Sequence, residues 1–74
     1  MKVAYDAKVD ALYIELHGLQ PGTAEARDLS SEITADYGPD GVLAGIEILD
    51  ASHFLDRTEL NRVVLEVSPA LTAH

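Results

Sequence analysis

The sequence predicts an α+β fold built on a small antiparallel β-sheet of two hairpins. Three observations predict it: apolar and polar residues alternate in four short stretches, Asp, Gly and Pro separate these stretches, and the C-terminal part loses the alternation. The hairpins are predicted at about residues 2–6 with 11–16 and at about 31–37 with 42–49. All 74 residues are predicted to form one small domain.

The first hairpin begins with alternation around Val3 and Tyr5, and the stretch 11–16 alternates between an apolar and a more polar face. The link between the two strands begins with Asp6 and ends with Asp10. Asp side chains accept hydrogen bonds from backbone N–H groups just downstream and so bend the chain. Two strands joined by so short a link are expected to pair antiparallel.

The second hairpin turns at Gly38-Pro39-Asp40-Gly41, the strongest turn signal in the chain. A two-residue turn at Asp40-Gly41 opposes apolar residues throughout, in the pairs Ile33–Ile48, Ala35–Ile46 and Tyr37–Ala44. The same residues also fit a three-residue turn with a Gly bulge, which shifts the register by one. We predict the apolar register. The polar stretch at 23–28 adds a short edge strand at most.

Beyond the second hairpin the pattern is ambiguous. Asp50 is predicted to cap one helical turn and Thr58 to cap a short helix, both within a helical region near residues 50–62. The stretch 63–67 has helical spacing but a β-branched composition, and we predict a C-terminal strand there. Residues 69–74 are predicted to be a flexible tail.

Composition excludes several classes of protein. The chain has 13 acidic and 5 basic residues and a net charge of −8, which disfavours binding to nucleic acid because phosphate contacts need clustered Lys and Arg. It has no Cys, so disulfides and thiolate metal sites are excluded. No apolar run approaches the roughly 18 residues of a membrane span, and Met1-Lys2-Val3 begins no signal peptide. We therefore expect a cytoplasmic protein that binds no membrane.

The size of the chain predicts a homodimer. A single core rarely supplies more than about 3–5 kcal/mol of stability in so short a chain, and no disulfide or thiolate metal site supplements it. Candidate interface residues are an aromatic pair on adjacent strands and the apolar residues of the C-terminal stretch: Tyr5, Tyr13, Val63, Leu65 and Val67. If the stretch 63–67 were an unpaired strand, its free edge would instead suit a larger assembly.

Three blocks of sequence carry a family resemblance: Tyr5-Asp6 with Asp10-Ala11-Leu12-Tyr13-Ile14, Asp36-Tyr37 with Asp40-Gly41, and Gly45-Ile46-Glu47-Ile48-Leu49-Asp50-Ala51-Ser52. In order and spacing, over about residues 1–53, they resemble the DUF2283 family of small bacterial proteins. The resemblance implies a compact α+β domain on an antiparallel sheet and implies no reaction. Some members are encoded beside small toxin-like proteins, which implies an antitoxin role. The resemblance does not extend to the residues from Phe54 onward, and it implies nothing about them.

Glu47 is the candidate catalytic residue because it lies inside the most apolar strand. If it were buried, its carboxyl pKa would rise and it would suit general acid–base work. Asp10, Asp50 and His53 are candidate binding residues that would join Glu47 in an acidic site. The alternative interpretation of Glu47 is a solvated charge, or one paired across the sheet, opposite Thr34 in the preferred register.

Other chemistry lacks a signature, so we predict no metal and no cofactor. The residues from Asp36 to Glu47 have part of the spacing of an EF-hand calcium loop, but a hairpin explains them and no amphipathic helices flank them. The three His residues, at 17, 53 and 74, are too dispersed for zinc. The serines have no nucleophile elbow, and no Gly-rich phosphate loop occurs.

These observations favour a non-enzymatic protein-interaction module. We expect a homodimer whose acidic surface attracts a basic partner protein, such as an RNA-cleaving toxin. The alternative function is binding of a metal or small molecule, or a small enzymatic activity, at an acidic site around Glu47, Asp50 and Asp10.

Overall fold

The computed structural model describes residues 1–20 and 22–69. It contains five strands and two one-turn helices, β1 Lys2–Asp6, β2 Ala11–Glu15, β3 Glu25–Asp28, β4 Ile33–Tyr37, β5 Leu43–Ile48, α1 Ala51–Phe54 and α2 Arg57–Leu60. The strands pair antiparallel in one sheet of order β1-β2-β5-β4-β3. The α+β class and both predicted hairpins are confirmed, and the polar stretch supplies the edge strand β3.

The turn of the first hairpin lies between Asp6 and Asp10, as the sequence predicts. The Asp6 carboxylate accepts a hydrogen bond from the backbone N–H of Lys8 at 2.9 Å, and Asp10 enters β2 with φ of 53°. The register pairs Tyr5 with Leu12 and Ala4 with Tyr13. Because successive side chains of a strand point to opposite faces, Tyr5 and Tyr13 lie on opposite faces of the sheet. The predicted aromatic pair is therefore wrong.

The second hairpin uses both of the registers that the sequence allowed. Near the turn, Gly38 donates to the carbonyl of Val42 at 2.9 Å, and Gly41 adopts φ of 79°, which together make the three-residue turn. The register shifts between Asp36 and Tyr37, so Tyr37 opposes Leu43 and the predicted pairing with Ala44 is wrong. Deeper in the ladder the apolar pairs Ile33–Ile48 and Ala35–Ile46 form as predicted. A β-bulge reconciles the turn with the apolar register.

The sheet has two chemically different faces, which the registers define. We call one the apolar face; its members in β1, β2, β4 and β5 include Val3, Tyr5, Leu12, Ile14, Ile33, Ala35, Ile46 and Ile48. The edge strand β3 adds two charged residues, Glu25 and Arg27, to this side of the sheet. We call the other the polar face; its members include Tyr13, Glu15, Thr34, Asp36, Gly45 and Glu47, with Lys2 opposite Glu15.

The core is small. The buried apolar residues of the described chain are Leu12 and three alanines, Ala35, Ala44 and Ala51. The isoleucines of the apolar face are only half-buried, and in the described residues no large side chain is fully buried. The chain alone therefore covers its apolar face incompletely.

The C-terminal part departs from the prediction in its caps and its strand. The predicted helical region is two separate turns, and Asp56 rather than Thr58 caps α2, accepting from the backbone N–H of Glu59 at 2.9 Å. Asp50 makes no side-chain cap of α1. The predicted strand at 63–67 is absent, since residues 62–67 pair with no strand of the sheet.

Two further sequence-based expectations concern the chain end and the membrane. Of the predicted flexible tail at 69–74, all but Pro69 lies outside the described residues. No helix within residues 1–20 and 22–69 has the length and apolar character needed to cross a membrane.

Candidate functional site

A compact junction links the first hairpin to α1 through the carboxylate of Asp10. One carboxylate oxygen, Oδ1, accepts from the Tyr5 hydroxyl at 2.6 Å and from the backbone N–H of Ser52 at 3.0 Å. The other, Oδ2, accepts from the Ser52 hydroxyl at 2.6 Å. The backbone carbonyl of Asp10 also accepts from the N–H of Ala51 at 3.0 Å. The Asp10 side chain thus joins Tyr5 in β1 to Ser52 in α1, although these residues lie far apart in the sequence.

Asp10 performs the capping role that the sequence assigned to Asp50. Asp50 adopts φ of 52° at the start of α1, and its side chain makes no cap hydrogen bond. The first N–H groups of a helix lack partners within the helix, so an external acceptor stabilises them. Asp10 is that acceptor, and the hydroxyls of Ser52 and Tyr5 that donate to it hold the pKa of its carboxyl below the usual value.

The junction opens into a cleft that gathers most of the candidate binding residues. A cavity of 580 Å³ is lined by Asp10, Glu32, Asp50, Ser52 and His53. Three of the four candidate binding residues therefore come together as the sequence suggested. The described ranges nevertheless contain no cluster of three or more His, Asp or Glu side chains arranged to hold a metal ion.

Glu47, the fourth candidate, lies elsewhere. The register places it on the polar face, between Tyr13 of β2 and Thr34 of β4. Asp10 instead bonds Tyr5, whose side chain belongs to the apolar face. An acidic site that combines Glu47 with Asp10 and Asp50 is therefore not assembled in this fold.

The polar face has its own fixed feature at its centre. The Tyr13 hydroxyl donates to the Asp36 carboxylate at 2.9 Å, reaching from β2 across β5 to β4. The bond passes over Gly45, where an added Cβ would lie 2.6 Å from the Tyr13 ring carbon Cζ. Partial burial and the Asp36 hydrogen bond together raise the pKa of Tyr13 to about 12. Tyr13 thus links β2 to β4 on the polar face.

Two of the remaining interface candidates, Tyr5 and Val63, line a groove at the apolar face. Tyr5 helps to line a groove of 480 Å³ with Val3, Leu12, Ile14, Leu55 and Leu60. Of the C-terminal candidates, Leu65 is 76% exposed, Val63 67% and Val67 45%. The same chain therefore has both a mostly apolar groove and exposed apolar side chains.

Three structural partners were not predicted from the sequence: Ser52, Asp36 and Gly45. A Gly inside an otherwise apolar strand indicates close approach by another group, and Gly45 carries that signal. No local signal links Ser52 to Asp10, because 42 residues separate them.

The comparisons agree with the resemblance carried by the three sequence blocks. The model of a family described as protein of unknown function (DUF2283) matches residues 2–52, which include the whole sheet and the junction at Asp10. No match was found among curated proteins or among solved structures. Since the match spans more than half of the sequence, the chain belongs to the DUF2283 family.

Proposed function

We propose that the protein is a non-enzymatic interaction module that works as a homodimer and binds a basic partner protein. The observation that carries the proposal is the incomplete cover of the apolar face. The buried apolar set consists of Leu12 and three alanines, while the four isoleucines of that face remain half-exposed. A second copy that covered these isoleucines would add about 25 cal/mol of stabilisation for each Å² of apolar surface removed from water.

The size of the exposed surface supports association. The chain exposes 5,953 Å². A compact monomer of its 8.0 kDa is expected to expose about 4,450 Å². The excess, about 1,500 Å², exceeds the roughly 800 Å² that each partner contributes to a standard interface. The radius of gyration, 14.2 Å, is likewise larger than the roughly 11 Å expected for this length. The flat, open shape therefore suits a half of a dimer.

The charge supports a basic partner. The net charge is −8, and the polar face presents the carboxylates of Glu15 and Glu47 beside Asp36. An acidic surface speeds the encounter with a basic protein and selects against acidic ones. Together with the toxin-like neighbours implied by the family resemblance, this supports an antitoxin-like role in the bacterial cytoplasm.

The mass of the protein in solution tests the homodimer. Sedimentation equilibrium from about 1 to 100 µM is expected to give twice the chain mass of 8.0 kDa, with dissociation on dilution. A folded monomer throughout that range would overturn the homodimer.

Co-expression with the product of the adjacent gene tests the basic partner. The two proteins are expected to co-purify, and Glu47→Gln is expected to weaken the complex more than Glu25→Gln does. The two substitutions remove the same charge, but Glu25 lies in the edge strand β3 and opposes Tyr37 rather than a member of the polar face. Failure to co-purify, or equal effects of the two variants, would contradict the role of the polar face.

A further inference from the structure

The residues after α2 lie outside the helices and strands and are largely exposed. We call residues 62–67 the C-terminal arm. In the described chain the arm belongs to no strand or helix, and Val63, Val64 and Leu65 are between 64% and 76% exposed. In the extended conformation of a segment bound along a groove, Val63, Leu65 and Val67 share one side of the arm, while Val64 and Glu66 share the other. The arm is therefore an amphipathic ribbon with one fully apolar side.

The apolar face offers a concave surface of matching chemistry. The groove of 480 Å³ lies where Val3 and Ile14 of the sheet meet Leu55 and Leu60 of the helical region. Its lining is mostly apolar, and the polar residues that complete it are Glu59, Asn61 and Arg62. Val63, the start of the apolar side of the arm, is one of the lining residues of the same groove. The outer sheet edge β3 is a poorer acceptor, because Glu25, Arg27 and Asp28 make it charged and edge charges oppose strand addition.

We infer that the C-terminal arm of one copy lies in the apolar groove of a second copy, and that the exchange is reciprocal. This inference rests on the proposed homodimer and names the surfaces that form it. Within its own chain the arm keeps its valines and leucine exposed, and the groove stays open. A two-fold axis brings each arm to the other groove, so one operation covers both surfaces.

The dimensions of the arm and of the sheet are compatible. Five extended residues span about 16 Å, and neighbouring strands lie about 4.8 Å apart. An arm that starts at the rim of the partner's groove therefore crosses about three strands, which are β1, β2 and β5 in this sheet order. That path covers Val3, Ile14 and Ile46, which the chain alone leaves exposed or half-exposed.

Matched substitutions in the arm test the inference. Leu65→Asp places a charge on the apolar side of the arm, and Val64→Asp places the same charge on the other side. Both residues are exposed in the single chain, so both variants are expected to fold, which far-UV circular dichroism checks. Leu65→Asp is expected to raise the dimer dissociation constant at least about tenfold and Val64→Asp less than about threefold.

Mixing two defective variants tests whether the contact is made between chains. Leu65→Asp carries a damaged arm and an intact groove, whereas Val3→Asp carries an intact arm and a damaged groove. With exchange between chains, the mixed dimer has one intact arm–groove contact, so the mixture dimerises more tightly than either variant alone. If each arm covered its own groove, mixing would restore nothing, and that result overturns the exchange.

The possible outcomes separate this inference from the proposed function. A wild-type chain that stays monomeric overturns the homodimer and the arm exchange together. A wild-type dimer that Leu65→Asp and Val64→Asp weaken equally, or not at all, overturns the arm exchange and leaves the homodimer standing.

Discussion

The two faces of the sheet differ in how far this chain alone satisfies them. The polar face is joined by a side-chain hydrogen bond, whereas the apolar face remains partly exposed to solvent. On the polar face, Tyr13 and Asp36 close over Gly45 through one hydrogen bond of 2.9 Å. On the apolar face, Ile14, Ile33 and Ile46 remain half-exposed. A hydrogen bond between two side chains needs only those two side chains. Burial of an apolar sheet face needs a second layer of side chains packed against it. After the sheet this chain has two helical turns and an arm, which are too little for that layer.

The largest effect is expected from breaking the polar face at Gly45. Gly45→Ala adds a Cβ that overlaps the Tyr13 hydroxyl and lies 3.1 Å from the carbonyl oxygen of Ile14. Overpacking of this kind costs about 2 kcal/mol of the free energy of unfolding. Urea denaturation at a fixed protein concentration measures it. Gly18→Ala is the control, with its nearest atom at 4.0 Å, and is expected to change stability by less than about 0.5 kcal/mol. Equal losses for both variants would contradict close packing over Gly45.

A smaller effect is expected from removing the Tyr13 hydroxyl. Tyr13→Phe deletes one hydrogen bond, worth about 1 kcal/mol in stability. The folded pKa of about 12 is above the ordinary value of 10.0, so the neutral phenol is favoured by folding. That contribution is present in full below pH 10 and is lost as the pH rises toward 12.

Absorbance at 295 nm follows the ionisation of the three tyrosines directly. The hydrogen bond to Asp10 also raises the pKa of Tyr5, so the phase near pH 12 is expected to lose amplitude in Tyr13→Phe and to keep it in the control, Tyr37→Phe. An unchanged amplitude of that phase in Tyr13→Phe would show that the assignment of the pKa of about 12 to Tyr13 is wrong.

The junction at Asp10 joins the apolar-face residue Tyr5 to α1 and is expected to respond to acid. Asn tolerates the φ of 53° at this position, so Asp10→Asn removes the charge without straining the backbone. The Asp10 pKa is lowered in the folded protein, so its contribution is present above the usual value near 3.8 and is lost as the pH falls below it. Unfolding midpoints between pH 5 and 2 are expected to fall less steeply in Asp10→Asn than in the wild type. Parallel curves would contradict this role.

The smallest effect is expected at Glu47. Its side chain is half-exposed on the polar face, so Glu47→Gln is expected to change the free energy of unfolding by less than about 0.5 kcal/mol. A loss of more than about 1.5 kcal/mol in the same urea experiment would show that Glu47 is a structural partner, as Asp36 is. The polar face would then be stabilised by two side-chain interactions, one at Glu47 and one between Tyr13 and Asp36.

Local rules predicted the sheet well. Alternation located four of the strands, and the Asp residues at 6 and 10 marked the first turn. The second turn was harder, because Pro39-Asp40-Gly41 and the apolar pairs require registers that differ by one. The fold accommodates both registers through a β-bulge beside Tyr37. A sequence pattern that is compared with one register at a time does not predict such a bulge.

Local rules failed where the partner is distant in the chain. Asp50 has the residue type and position of a helix cap, yet Asp10 accepts from the N–H of Ser52. The stretch 63–67 has strand composition but pairs with no strand of the sheet. Candidate site residues divided in the same way: Asp10, Asp50 and His53 meet in one cleft, whereas Glu47 lies on the polar face.

The sequence by itself determined the four hairpin strands, the positions of the two hairpin turns, the acidic charge and the alternation of apolar and polar residues, because side-chain alternation and turn chemistry are local properties. Only the tertiary structure decided which residue caps α1, which tyrosine bonds Asp36, and that the apolar face stays partly uncovered. Those outcomes depend on strand order and register, which bring together residues far apart in the chain, and on how much chain remains to form a second layer.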